Sequence, residues 1–133
     1  MAETFPVTIH HNPRCGNSRN ALAMIRAAGY EPEVVEYLKT GWTKDQLAAL
    51  FARAGVTPRK ALREKEAGQL RPELLAGADD EAILQAMVEE PVLVNRPLVV
   101  TPKGAALCRP PERVFDLLER RPERFVKEDG TEV

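Results

Sequence analysis

At 133 residues the chain is long enough for one hydrophobic core and too short for two comfortable ones, so a single domain spanning 1–133 is expected. Apolar residues make up 44% and charged residues 29%, which excludes a disordered polyelectrolyte, and the longest apolar runs fall far short of the roughly 20 residues a membrane-spanning helix needs. Nineteen Lys and Arg against twenty Asp and Glu leave a net charge of −1, which argues against a nucleic-acid footprint and confines any anion site to a local cluster. The first six residues lack a basic region followed by an apolar stretch, so no secretory leader is expected. Cys15 and Cys108 are then expected as reduced cytoplasmic thiols rather than a disulfide.

Residues 5–11 alternate Val7 and Ile9 with Thr8 and His10, the pattern of a strand. Turn chemistry follows in Asn12-Pro13-Arg14-Cys15-Gly16-Asn17-Ser18. From Ser18 onward Leu22, Ile25 and Ala28 recur at helical spacing until Gly29 stops the run. A second strand is expected over 33–38, carrying Val34-Val35 and Tyr37, which makes a βαβ unit with its two strands parallel. Trp42 is expected to pack at the entry to the next helix.

The middle of the chain reads as helical. Thr43 and Gln46 have the spacing of a capping box ahead of Leu47, Leu50, Phe51 and Ala54, with Gly55 as the stop. Pro58 suits a first helical position, and one helix is expected from there through Glu66. A further helix spans 79–90, with an acidic start, an apolar face of Ile83, Leu84, Met87 and Val88, and Pro91 as its end. Leu98-Val99-Val100, the turn Pro102-Lys103-Gly104 and residues 105–108 then read as a β-hairpin. Pro110-Pro111 starts a last helix bearing Val114, Leu117 and Leu118. The arginines and glutamates of 112–124 are expected on its mixed-charge face, and 127–133 is expected to be loosely held. The simplest product of this order is an α/β fold: a four-stranded mixed sheet with flanking helices and a helical insertion in the middle of the chain.

Cys15 sits at the junction of loop and helix. A thiol reacts as its thiolate, and the unpaired N–H groups and positive dipole end of a helix are among the few devices that lower its pKa. Gly16 would let an anion approach the backbone there. Ser18 has two roles open to it, bonding the thiolate or capping the helix. The dull reading, a small buried hydrophobe, sits poorly among Pro13, Arg14, Gly16 and Asn17. Ser18 also occupies the position where a Cys-x-x-Cys motif would carry its second thiol, so no local resolving cysteine exists. Ala21 occupies the position of the arginine in a Cys-x5-Arg loop, which removes that alternative. Two cysteines and two histidines without ligand spacing imply no metal site.

The segment His11-Asn12-Pro13-Arg14-Cys15-Gly16-Asn17-Ser18-Arg19-Asn20 closely resembles the active-site segment of the glutaredoxin-coupled arsenate reductases. The resemblance continues in order through Glu31-Pro32, Arg59-Lys60-Ala61-Leu62-Arg63, residues 95–102 and Leu107-Cys108-Arg109-Pro110, ending near Glu128-Asp129-Gly130. It implies a thioredoxin-like fold, Cys15 as the nucleophile, His11 as a group that helps activate it, and Arg63, Arg96 and Arg109 as the residues that bind the oxyanion. It further implies a cis bond at Arg96-Pro97, arsenate as substrate, glutathione as co-substrate, glutaredoxin as partner, and no bound cofactor. His10, adjacent to His11, should face the other side of the strand, and Cys108 should be a buried structural thiol. Arg19 is expected to face solvent or pack rather than bind substrate. Two rival readings are a glutathione-linked thiol oxidoreductase that does not use arsenate and a redox-sensing regulatory protein. Three oxyanion-binding arginines fit the regulatory reading least well.

Overall fold

In a computed structural model, which describes residues 5–133, the chain divides into two units. One is built from both ends of the chain, up to Glu36 and from Arg96 onward, and the other is the continuous segment Tyr37–Asn95. The leader expectation falls in part on residues 1–4, which lie outside the described residues.

The first unit holds a four-stranded sheet in the order β2-β1-β3-β4. Strand β1 (Thr8–His11) runs parallel to β2 (Glu33–Glu36) and antiparallel to β3 (Leu98–Thr101), which forms a hairpin with β4 (Gly104–Leu107). Ile9 is the centre of the register, facing Val34 on one side and Val99 on the other. Alternation along β1 buries Ile9 and His11 and leaves Thr8 and His10 half-buried on the opposite face. Helix α1 (Gly16–Ala27) covers the sheet with Ala21, Met24, Ile25 and, just beyond its end, Ala28, which recur at three- and four-residue spacing. Leu22, expected in the stripe, packs at its edge.

The last helix is a 3-10 helix, Pro111–Leu117, which buries Val114, Phe115 and Leu117 against α1 and the sheet. It ends before the expected mixed-charge face can form. Arg120 instead lies 4.5 Å over the Tyr30 ring, and Arg121 lies 4.6 Å over Phe115. The tail is also tied down, contrary to the expectation for 127–133. Val126 bridges Glu132, Lys127 pairs with Glu112, and Glu128 pairs with Arg19 on α1.

In the second unit, β2 has already given way to the helical turn α2 (Tyr37–Thr40), where a strand to residue 38 was expected. Tyr37 decides this locally. Its ring is buried beside Trp42 at 5.2 Å, and its hydroxyl donates to the Val94 carbonyl at 3.0 Å. Thr43 caps α3 (Lys44–Ala54) through the full reciprocal capping box with Gln46, and Gly55 closes it in the left-handed region at φ 69°. The helix expected over 58–66 is broken in two, α4 (Pro58–Ala61) and α5 (Glu64–Leu70). Leu62 is extended and bridges Val94, while Arg63 donates its N–H to Leu93 and Asn95 donates to Ala61. These distant backbone bonds override a helical pattern that contains no breaker. Asp79 caps α6 (Asp80–Glu89), which buries Ile83, Leu84, Ala86 and Met87. Among the described residues no helix is long and apolar enough to cross a membrane.

Candidate active site

The loop ahead of α1 is organised by Asn12. Its side-chain oxygen accepts from the Arg14 N–H at 2.9 Å, an Asx turn, and its carbonyl accepts from the Cys15 N–H at 3.0 Å. Cys15 is thereby delivered to the N-cap of α1 with extended backbone, and its side chain makes no capping bond. The N–H groups of the first helical turn stay without a side-chain cap, and those of Ser18 and Asn17 favour the ionised form of the sulfur.

Cys15 is 9% exposed. Burial raises its pKa, but the Ser18 N–H, the bond and charge of the Arg96 guanidinium and the Asn17 N–H together outweigh burial and hold the thiol below its ordinary value. Arg96, itself buried, precedes β3 at a cis junction with Pro97, as the resemblance implies; Arg109-Pro110 is cis as well. Arg109 brings Nη1 to 3.9 Å from Cys15 Sγ and donates from the same nitrogen to the Arg96 carbonyl at 2.8 Å. The Cys15 sulfur, two helix N–H groups and two guanidinium groups are therefore gathered from α1 and the two segments flanking the hairpin. The set can bind a tetrahedral oxyanion and favours the thiolate form of the sulfur.

His11 and Ser18 meet each other rather than forming separate contacts to sulfur. His11 Nδ1 and Ser18 Oγ are 2.7 Å apart, and Ser18 Oγ also accepts from the Asn12 N–H at 3.1 Å. The Ser18 side chain thus pins β1 to α1, while its backbone N–H serves the sulfur. Burial lowers the His11 pKa, against a raising influence of Glu36 and with further lowering by Arg26 and Arg19, so the imidazole favours its neutral form. A Cβ on Gly16 would make only ordinary contacts, 3.7 Å from Arg19 and 3.9 Å from Glu128, so its neighbours leave space at the open end of the helix.

Arg63 belongs to the second unit. It starts α5, pairs through Nε with Glu66 at 2.9 Å, and lines a cavity of about 530 Å³ with Arg59, Lys60, Lys65 and Asn95. Cys108 is fully buried in the core of the first unit, and burial pushes its pKa up to about 12. Asn12 and Asn17 join the site without having been expected there; the Asn-Pro dipeptide was the signal for the first, and the second has none. Among the described residues no group of three or more His, Cys, Asp or Glu side chains stands together to hold a metal ion.

Residues 10–117 match the model of the ArsC family. The chain belongs to the ArsC family. ArsC relatives align along almost its full length. It is 56% identical over 93% of its residues to an arsenate reductase, ArsI2, of Synechocystis sp., covering 90% of that protein, and 53% identical to an arsenate reductase of Rhizobium meliloti. The arsenate reductase of Escherichia coli is 44% identical, with 96% of this chain and 92% of that one aligned. Among solved structures, an arsenate reductase from Vibrio cholerae superposes with a TM-score of 0.81 at 36% identity, over 87% of this chain and all of that one. The ArsC sheet and flanking helices are the thioredoxin-like arrangement that the sequence implied.

Proposed function

We propose that this ArsC chain is an arsenate reductase in which Cys15 is the nucleophile and Arg96, Arg109 and Arg63 bind the oxyanion. One observation carries the reading: a thiol whose pKa is lowered by two helix N–H groups and Arg96 has Arg109 beside it, in a chain whose relatives at 42–56% identity are named arsenate reductases. For Arg63 the support is the family resemblance of the Arg59–Arg63 block.

The Cys15 thiolate attacks arsenic(V) and displaces a protonated oxygen as water, forming a sulfur–arsenic bond. The guanidinium groups bind the remaining oxygens and offset the charge that builds up there. Reduction to arsenic(III) takes two electrons, which come from two sulfurs, Cys15 and an external thiol. Cys108 is too deeply buried to serve, and no Cys-x-x-Cys partner exists. Glutathione is that thiol in this reading: it adds to the arsenic centre, arsenite departs, and Cys15 is left joined to glutathione as a mixed disulfide. Glutaredoxin then takes the glutathione and frees Cys15. The chemistry proposed needs no bound cofactor, and its dependence on a reducing thiol supports a cytoplasmic location.

The test is arsenate-dependent oxidation of NADPH by the purified protein with glutathione, glutaredoxin and glutathione reductase. Turnover that requires arsenate and disappears in Cys15→Ser is the expected result. Turnover of a glutathione mixed disulfide without any arsenate dependence would overturn the substrate and favour the plain thiol oxidoreductase.

A further inference from the structure

Arg19 and Glu128 lie outside the group of residues around the sulfur, yet they join the catalytic loop to the end of the chain. The Arg19 guanidinium is a three-way junction. Nε and Nη2 grip the two Glu128 carboxylate oxygens at 2.8 and 3.0 Å, and Nη1 donates to the Pro13 carbonyl at 2.8 Å. Pro13 is two residues before Cys15, in the Asx turn that delivers the cysteine to the helix.

The tail is itself built to present Glu128. The Glu128 N–H donates to the Asn20 side chain at 3.0 Å, Lys127 pairs with Glu112, and the turn at 127–131 is closed by Lys127 N–H to Thr131 and Gly130 N–H to Lys127. Two side chains of α1, Arg19 and Asn20, thus fix the carboxylate and the backbone N–H of Glu128 across the start of the helix. An isolated surface ion pair is worth little, but a bidentate fork whose third donor holds a backbone carbonyl constrains geometry beyond its charge.

We propose that Arg19 and Glu128 are positioning residues: the C-terminal tail, through this fork, holds the Pro13 carbonyl and so fixes the Cys15 loop against the first turn of α1. The inference rests on Cys15 being the activated thiol. Neither residue is bonded to the sulfur; beyond the field of the Arg19 charge, which reaches Cys15, they act through the orientation of Pro13 and hence of the loop that aims Cys15 at the Asn17 and Ser18 N–H groups.

Mechanical positioning and direct charge effects predict different results, which makes the idea decidable. The probe is the rate of Cys15 alkylation by iodoacetamide against pH, with Cys15→Ser to correct for Cys108. Arg19→Lys keeps the cation and loses the fork; Glu128→Gln keeps the shape and leaves the Arg19 charge unneutralised. Positioning predicts that both variants move the alkylation midpoint upward, by about half a pH unit, which is roughly a threefold loss of thiolate below the midpoint. It also predicts a lower kcat with little change in the KM for arsenate.

An unmoved midpoint in Arg19→Lys, or a downward shift in Glu128→Gln, would mean that charge alone matters and would overturn the proposal. Both side chains are largely exposed, so the variants should fold, and circular dichroism checks this. If the unaltered protein itself shows an ordinary thiol midpoint, the activated-thiolate reading fails. If its midpoint is low and the variants match it, only the tail's role fails.

Discussion

The Arg109 nitrogen that lies 3.9 Å from Cys15 Sγ is the same one that donates to the Arg96 carbonyl at 2.8 Å. One guanidinium thus braces the backbone of the other while reaching toward the reaction centre. Their contributions nevertheless differ in weight, because Arg96, by its bond and charge, is the guanidinium that chiefly lowers the thiol's pKa.

Arg109→Ala is therefore expected to lower kcat/KM for arsenate by about 10²–10³, the usual cost of losing one donor to a developing oxyanion. Its alkylation midpoint should rise less than that of Arg96→Ala. Arg96→Ala should show a comparable loss together with an upward shift of the alkylation midpoint. Identical profiles for the two variants would contradict this division of labour.

His11 should be neutral at pH 7, since burial lowers its pKa more than Glu36 raises it. As pH falls, the unfolded chain takes up this proton first, near the ordinary value of about 6.5. Stability should therefore decline as pH falls from there through the lowered folded-state value. NMR titration of the imidazole gives the midpoint directly. Glu36→Gln, which removes the raising influence, should move it further down, and an upward shift would show that the assignment of causes is wrong.

The two thiols should act on stability in separate windows of pH. Cys15 has a lowered folded-state pKa, so its contribution is complete above the unfolded value of about 8.5 and is lost as pH falls through the lowered one. Cys108 is raised to about 12, so above about 8.5 the unfolded chain releases a proton that the folded one keeps. Stability should then fall by up to about 1.4 kcal/mol per pH unit from this group. Urea melts of Cys15→Ser between pH 8 and 10 should show the decline, and Cys108→Ala in the same background should flatten it.

Thr43→Ala removes the hydroxyl that accepts the Gln46 N–H at 3.1 Å and breaks the reciprocal bond network of the capping box. The expected cost is about 1 kcal/mol, read as a lower urea midpoint. Arsenate turnover under native conditions should be unaffected. A neutral effect on stability would mean that α3 is held by the packing of Leu47 and Phe51 alone.

Local chemistry made much of this molecule readable. Thr43 with Gln46, Asp79 ahead of an apolar face, and alternation around Ile9 each specify structure through residues within a few positions of one another, and each appears in the fold. The failures share the opposite cause. Nothing between Pro58 and Glu66 breaks a helix locally; the break at Leu62 comes from backbone bonds to Leu93, Val94 and Asn95, a strand-like partner some thirty residues away. Tyr37 has the composition of a strand residue, yet its hydroxyl is claimed by Val94. At the site, Cys15 was legible because a helix start is a local event. Arg96 and Arg109 carried no signal of their own until a family resemblance gave them roles, since only the fold brings them to the sulfur. Arg19 was expected to face solvent or pack, and it does both; only its partner Glu128, 109 residues away, carried no signal.

The first unit is stitched from the two ends of the chain, with 37–95 running as one continuous segment between them. A ribosome therefore makes β1, the Cys15 loop and α1 long before β3 and β4 can pair beside them, and Arg109 emerges 94 residues after the cysteine it approaches. Until then the sulfur has only the N–H groups of its own helix to lower its pKa, without the bond and charge of Arg96. The full set of groups around Cys15 is thereby coupled to synthesis of the second half of this unit: a copy that stops before Arg96 carries the thiol without either guanidinium.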